Sequence, residues 1–111
     1  AEVILAEWKG EIVGFALFFP TYSTFLTQPG IYLEDLFVLE NYRGLGIGRN
    51  LLSHVAKIAT ERKAGRLEWN VLDWNESAIA FYEKMGAEVL PDWRICRVSG
   101  DPIAQLAREK P

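Results

Sequence analysis

The chain has 111 residues, half of them hydrophobic and 13% aromatic, with a formal net charge of −3. That balance suits one globular domain with a core of its own and excludes a disordered chain, and its mild acidity offers no basic face of the kind that binds nucleic acid. No apolar run approaches the ~20 residues of a membrane span, and a single cysteine (Cys96) beside a single histidine (His54) predicts neither a disulfide framework nor a metal site. The expected setting is the reducing cytoplasm. The sequence opens without methionine and already in a strand-like pattern, which predicts a piece of a longer chain.

Two apolar runs, Val3–Trp8 and Glu11–Phe19, flank Lys9-Gly10 and predict a β-hairpin. Pro20 is expected to end the second strand, and "PTYSTFLTQPG" has the composition of a loop. The next strand is Ile31–Leu39, with Glu34 and Asp35 among apolar neighbours. Consecutive strand residues face opposite sides, so the two carboxylates are expected to diverge. Leu51, Leu52, Val55, Ile58 and Ala59 then recur at helical spacing, with Gly65 as the stop. Arg66–Leu72 alternates as a strand does. Asn75 is placed to cap a helix whose first turn carries Glu76, whose apolar face is Ala78, Ile79, Phe81, Tyr82 and Met85, and which Gly86 ends at C′. Trp93–Val98 predicts a last strand holding a buried Cys96, and Ile103–Arg108 a short terminal helix. The order β-β-β-α-β-α-β, with a final α, predicts an α/β chain with a mixed sheet, helices packed on it, and residues 1–111 as a single domain.

Between the third strand and the first helix, Gly44, Gly46 and Gly48 stand at alternate positions. A strand, a glycine-rich loop and a helix N-terminus together make an anion site, because unpaired N–H groups and the helix dipole converge there. Arg43 can add a charge-assisted bond, and Arg49 is unfavourably placed against the dipole unless an anion offsets it. A tight turn with close helix–strand packing would use the same glycines. The dinucleotide fingerprint fails on spacing and the P-loop for want of a Gly-Lys-Ser/Thr sequence. Tyr82, on an apolar helix face, has the ordinary reading of a core tyrosine with a satisfied hydroxyl. Glu34 and Asp35 are either an exposed or ion-paired couple, or carboxylates lining a cavity. His54 reads as a solvated helix residue.

Arg43-Gly44-x-Gly46-Ile47-Gly48 resembles the acetyl-CoA signature of the GCN5-related N-acetyltransferases (GNAT). The strand "YLEDLFV" before it, "LEWNVL" after the helix and "WNESAIAFYEKMGA" beyond agree with that family in order and spacing, over roughly Ile31 to Ala87. "YLEDLFVLENYRGLGIG" and "VLDWN" are most similar to the diamine (spermidine/spermine) and thialysine N-acetyltransferase branch. The resemblance implies a GNAT-like acyl-CoA N-acyltransferase fold, here without the family's N-terminal strand and two helices. It implies acetyl-CoA as co-substrate, its pyrophosphate on Gly44, Leu45, Gly46, Ile47, Gly48 and Arg49 beside Arg43, and its pantetheine arm along Leu36, Phe37 and Val38 with Asn75 on the other side. It further implies Tyr82 as general acid, Glu34 as the group handling the amine proton, Asp35 holding the cationic amine, and Phe25, Trp74 and Trp93 as walls of the amine site. An N–H near Phe37 would polarise the thioester carbonyl. The implied activity is direct acetyl transfer to a small cationic amine (polyamine, diamine or thialysine-like) by a homodimer. A non-catalytic CoA-binding or dimerising fragment, and a peptide or protein amine acetyltransferase, are the alternatives.

Overall fold

The computed structural model describes residues 1–24 and 26–109. The chain divides into two compact units, Ala1–Asn70 and Val71–Pro111. The first holds β1 (Glu2–Trp8), β2 (Glu11–Ser23), β3 (Gln28–Val38), a 3-10 turn at Glu40–Tyr42, α1 (Ile47–Glu61) and β4 (Arg66–Glu68). The second holds α2 (Glu76–Lys84) and α3 (Asp101–Ala107). The predicted mixed α/β architecture is therefore observed, with four strands in the order β1-β2-β3-β4, the first three antiparallel and β4 parallel to β3.

The first hairpin closes through Lys9 (φ 52°) and Gly10 (φ 86°), two left-handed residues that match the twist of the strands they join. β2 does not stop at Pro20 as expected. It runs on to Ser23, with Pro20 opposite Ile31. The pairing of β2 with β1 reaches only to Phe18, so at Pro20 the strand is an edge, where a missing N–H breaks no ladder on that side. Much of the stretch expected to be loop is thus strand, since β2 runs to Ser23 and β3 starts at Gln28.

α1 lays Ile47, Leu51, Leu52, Val55 and Ala59 on the sheet, and these meet Val13, Ala16, Phe18, Ile31 and Leu33 in the core. Val13 and Gly14 are both buried because the β1 register slips there, Ala6 facing Gly14 while Glu7 faces Ile12. The helix ends at Glu61, before the predicted stop. Lys63, at φ 58°, takes the left-handed C′ position, with Ala64 N–H to Ala59 C=O (2.9 Å) and Lys63 N–H to Thr60 C=O (3.1 Å). Gly65 has another use: a Cβ there would collide with the Gln28 side chain, and its N–H donates to Pro29 C=O at 2.8 Å.

β4 is shorter than the predicted Arg66–Leu72, pairing with Gly30, Ile31 and Tyr32 only. Two residues further on β3 carries a bulge, and the parallel ladder ends before it. Trp93–Val98 is not a strand: it joins no ladder among the described residues and its side chains are exposed, Cys96 included. Alternation alone does not make a strand without a neighbour to supply hydrogen bonds. In the second unit the predicted caps are observed. Asn75 Oδ1 accepts from Ala78 N–H at 3.2 Å, and Gly86 (φ 97°) follows α2. Ala87 N–H to Tyr82 C=O and Gly86 N–H to Glu83 C=O, each 3.0 Å, complete a Schellman motif.

Candidate active site

β3 is paired with β2 along its whole length, but its other edge meets β4 only at Gly30–Tyr32. From Leu33 to Val38 that edge carries no strand among the described residues. Leu39 N–H donates to Val13 C=O at 2.8 Å, which sets the phase of the ladder. With Phe37 opposite Phe15 and Asp35 opposite Leu17, alternation turns the peptide groups of Leu36 and Val38 to the open side. These, rather than the N–H of Phe37 itself, are the edge groups available to a strand-like ligand.

At one end of this edge stand two carboxylates. The register shifts so that Leu33 faces Phe18 and Asp35 faces Leu17, leaving Glu34 as the extra residue of a bulge. Glu34 and Asp35 are both exposed, and the bulge interrupts the regular alternation of the strand at this point. Neither makes a hydrogen bond or ion pair among the described residues of the first unit, so the reading of a structural salt bridge is not supported. The burial pattern records the bulge: buried positions fall at Ile31 and Leu33, then half-buried ones at Leu36 and Val38. Odd parity becomes even across Glu34-Asp35, which marks one inserted residue in a period-2 pattern.

At the other end the chain folds through the 3-10 turn into the glycine loop. Tyr42 N–H donates to Leu39 C=O (2.9 Å) and Arg43 N–H to Glu40 C=O (3.2 Å), while the Tyr42 hydroxyl reaches Glu11 Oε2 at 3.1 Å. That last bond ties the turn to β2 and holds the Tyr42 phenol above its usual pKa. Arg43 Nε donates to Val38 C=O at 2.9 Å, with the guanidinium carbon 5.8 Å from the centroid of the Phe37 ring.

Gly44 (φ 81°) and Gly46 (φ 84°) both need the left-handed region, and a Cβ on either would meet nothing within 4 Å. Backbone conformation, not crowding, asks for glycine there. Gly46 caps α1 without a side chain to offer. The α-helical ladder starts with Asn50 N–H to Gly46 C=O at 3.0 Å, so the N–H groups of Ile47, Gly48 and Arg49 precede it. Leu45 and Arg49 are exposed, Gly48 is half-buried and Ile47 anchors the turn in the core. The open edge thus runs from an acidic bulge to a cationic, amide-rich helix start, a fit for an extended ligand whose far end is an anion.

In the second unit, Asn75 spends its side-chain oxygen on the α2 cap, accepting also from Ser77 Oγ at 3.3 Å. Tyr82 is half-buried, its ring edge-on to Phe81 with centroids 5.5 Å apart, and burial pushes its phenol up from the ordinary value. Trp74 and Trp93 are 74% and 79% exposed, so neither is walled in. Phe25, a further expected wall, lies outside the described residues. His54 is exposed on α1, as expected. Among the described residues no cluster of metal-ligating side chains occurs, and no helix is long and apolar enough to cross a membrane. Two features of the site escape a reading of the sequence alone: the bulge at Glu34 and the bond from Arg43 to Val38.

Residues 1–87 match the Acetyltransferase (GNAT) family. The L-ornithine N5-acetyltransferase NATA1 of Arabidopsis thaliana is 52% identical over 95 residues, 86% of this chain and 42% of that protein. The thialysine N-epsilon-acetyltransferase of Mus musculus is 35% identical over 113 residues, 96% of this chain and 66% of its own length. Among solved structures, the integron cassette protein VCH_CASS6 from the mobile metagenome of V. cholerae superposes with a TM-score of 0.88 at 32% identity, covering 96% of this chain and 66% of that one. The chain thus spans between about two fifths and two thirds of the length of these relatives. The match over residues 1–87, most of the chain, together with the mixed sheet and glycine-capped helix already described, places this chain in the GNAT acetyltransferase family.

Proposed function

We propose that this chain is the acetyl-CoA-binding and catalytic part of an N-acetyltransferase acting on the primary amine of a small cationic acceptor. The observation that carries the reading is the open β3 edge, which leads from two exposed carboxylates to the glycine-capped start of α1. In this reading the pantetheine arm pairs along Leu36, Phe37 and Val38 as an added strand, and the pyrophosphate takes the amides of Gly44 to Arg49 with Arg43 supplying charge beside them. Asn75 is a further candidate contact for the arm.

Asp35 attracts the alkylammonium, and Glu34 takes its proton through a water, since an amine with a pKa near ~10.4 is mostly protonated at neutral pH. The free amine attacks the thioester carbonyl, whose oxygen an edge N–H of Leu36 or Val38 polarises. The C–N bond forms, the C–S bond breaks, the departing thiolate takes the proton of the Tyr82 hydroxyl, and the new amide nitrogen releases its second proton, which restores the phenol. Burial supports that role, because it keeps the phenol protonated as a donor. The relatives named for ornithine and thialysine acetylation favour a short diamine-like acceptor. Trp74 and Trp93, exposed as they are, remain candidates to meet that acceptor. Exposed apolar side chains on one sheet face, Val3, Leu5 and Phe37, support a homodimer, and the single exposed thiol suits the cytoplasm.

The test is thiol release from acetyl-CoA with putrescine, spermidine, ornithine, thialysine, lysine and a short lysine peptide, with product mass as control. Release that depends on the diamine-like acceptors is the expected result. Release with the peptide alone would move the acceptor class to protein amines. Silence across the panel with acetyl-CoA still bound would leave a CoA-binding fragment.

A further inference from the structure

We propose that Arg43 is a positioning residue that ends the open edge of β3 at Val38, and so fixes where an acyl-CoA arm stops pairing with the strand and its anionic part turns onto the glycine loop. The inference rests on the acetyl-CoA reading above and assigns within it a role that charge alone does not give. The Val38 peptide carbonyl points away from β2, because the N–H of the same peptide unit, on Leu39, donates to Val13 and a trans peptide sets the two opposite. That carbonyl belongs to the open edge, and it is already taken: Arg43 Nε donates to it at 2.9 Å. A ligand that adds as a strand therefore finds Leu36 and the Val38 N–H free, and then meets a closed position.

The clip is held from two further directions. The guanidinium sits 5.8 Å from the centroid of the Phe37 ring, within the range of cation–π attraction. The 3-10 turn brings the Arg43 backbone back toward β3, and the Tyr42–Glu11 hydrogen bond anchors that turn to β2. Among the described residues Arg43 pairs with no carboxylate, so its charge is not neutralised and its two terminal nitrogens stay open at the point where edge and loop meet. Lysine cannot reproduce this arrangement. It has no Nε–H set part-way along a planar fork and no flat face to lie over a ring.

Binding measurements separate positioning from charge. Calorimetry with acetyl-CoA, and with adenosine 3′-phosphate 5′-diphosphate as the same anion without the pantetheine arm, is compared for the unaltered chain, Arg43→Lys and Phe37→Leu, with thermal melts to confirm folding. Arg43→Lys is expected to weaken acetyl-CoA by about tenfold, the scale of one charged hydrogen bond net of solvent, and the nucleotide fragment by clearly less, since the charge beside the diphosphate is kept. Phe37→Leu is expected to give the same pattern with a smaller loss. Lysine binding both probes as arginine does, or weakening both equally, would overturn the proposal, since the first leaves no role for the clip and the second makes Arg43 a plain anion contact. Failure of the unaltered chain to bind either probe would instead overturn the acetyl-CoA reading, and this proposal with it.

Discussion

Ala1–Asn70 and Val71–Pro111 make an instructive pair. The first unit carries every buried hydrophobic side chain among the described residues, from Val13 to Ala59, while the second carries none and leaves Ile95 and Leu106 65% and 62% exposed. Both units nonetheless hold helices with well-made ends: Lys63 closes α1 and Gly86 closes α2 by the same left-handed device. Helix ends are local objects, set by a cap residue and a few neighbours. Strands and cores are not, because their partners lie far along the chain.

The sharpest way to break this contrast is to remove one apolar side chain from each unit. Phe18, fully buried, is expected to cost about 3–5 kcal/mol as Phe18→Ala, through lost contacts and the cavity left behind. Ile95→Ala, at an exposed position, is expected to change stability by no more than about 0.5 kcal/mol. Denaturant titration followed by tryptophan fluorescence reads both. Equal losses would mean that Ile95 is buried in solution and the contrast is wrong.

A second prediction turns the contrast to chemistry. The second unit lacks a packed core, yet Tyr82 within it is half-buried and its phenol is pushed up. Tyr82→Phe is expected to lower turnover by about 10²-fold, the range of general-acid catalysis, with acetyl-CoA binding unaltered. The sign of the pH dependence follows. A raised phenol keeps its proton past the usual tyrosine range, so the rate should climb as the acceptor amine loses its proton, with no descending limb below about pH 10. A fall at neutral pH would assign the acid to another group.

These differences also explain what was legible in the sequence. The hairpin at Lys9-Gly10, the Asn75 cap and the Gly86 stop are encoded within a turn of chain each, and all three are observed. The five helical apolar positions of α1 were legible because burial on a sheet imposes their spacing, and four of them are buried. What failed is non-local. Pro20 sits in a strand because β1 ends short of it, Trp93–Val98 lacks a partner, and Gly65 answers to Gln28 from another strand. The candidate site divides the same way. The glycine loop and the acidic pair could be named from their order, but the bulge at Glu34 depends on the β2 register. The Arg43 clip depends on which way one carbonyl points.

Within the first unit, the glycine loop offers a finer comparison. Gly46→Val forces a β-branched residue to φ near 84° with open space around it, so the cost is conformational, about 1–2 kcal/mol. The loop would escape that strain by shifting its amides, and acetyl-CoA affinity is expected to fall about tenfold. Gly48→Ala is the contrasting case. Its Cβ would lie 3.8 Å from Val38 Cγ2, an ordinary contact, inside a helix that favours alanine. The melting temperature should hold or rise, and any loss of affinity without loss of stability would report a ligand lying against that residue.

The smallest expected effect comes from the long-range polar tie of Arg62, at the end of α1, to Glu2 of β1. Arg62 meets Glu2 as a fork, Nη1 to Oε2 at 2.7 Å and Nη2 to Oε1 at 2.6 Å, across 60 positions of sequence. Both side chains are exposed, so screening and side-chain entropy take most of the gain. The hydrogen bond from Arg62 holds the Glu2 carboxyl below the usual glutamate range. A lowered folded-state pKa contributes stability above the unfolded value and loses it as pH falls through the folded one. Arg62→Ala should therefore lower the melting temperature slightly at pH 7 and by nothing once Glu2 is protonated in acid. A difference that survived acidification would show that Arg62 stabilises through its aliphatic stem, and that even this contact belongs to packing rather than charge.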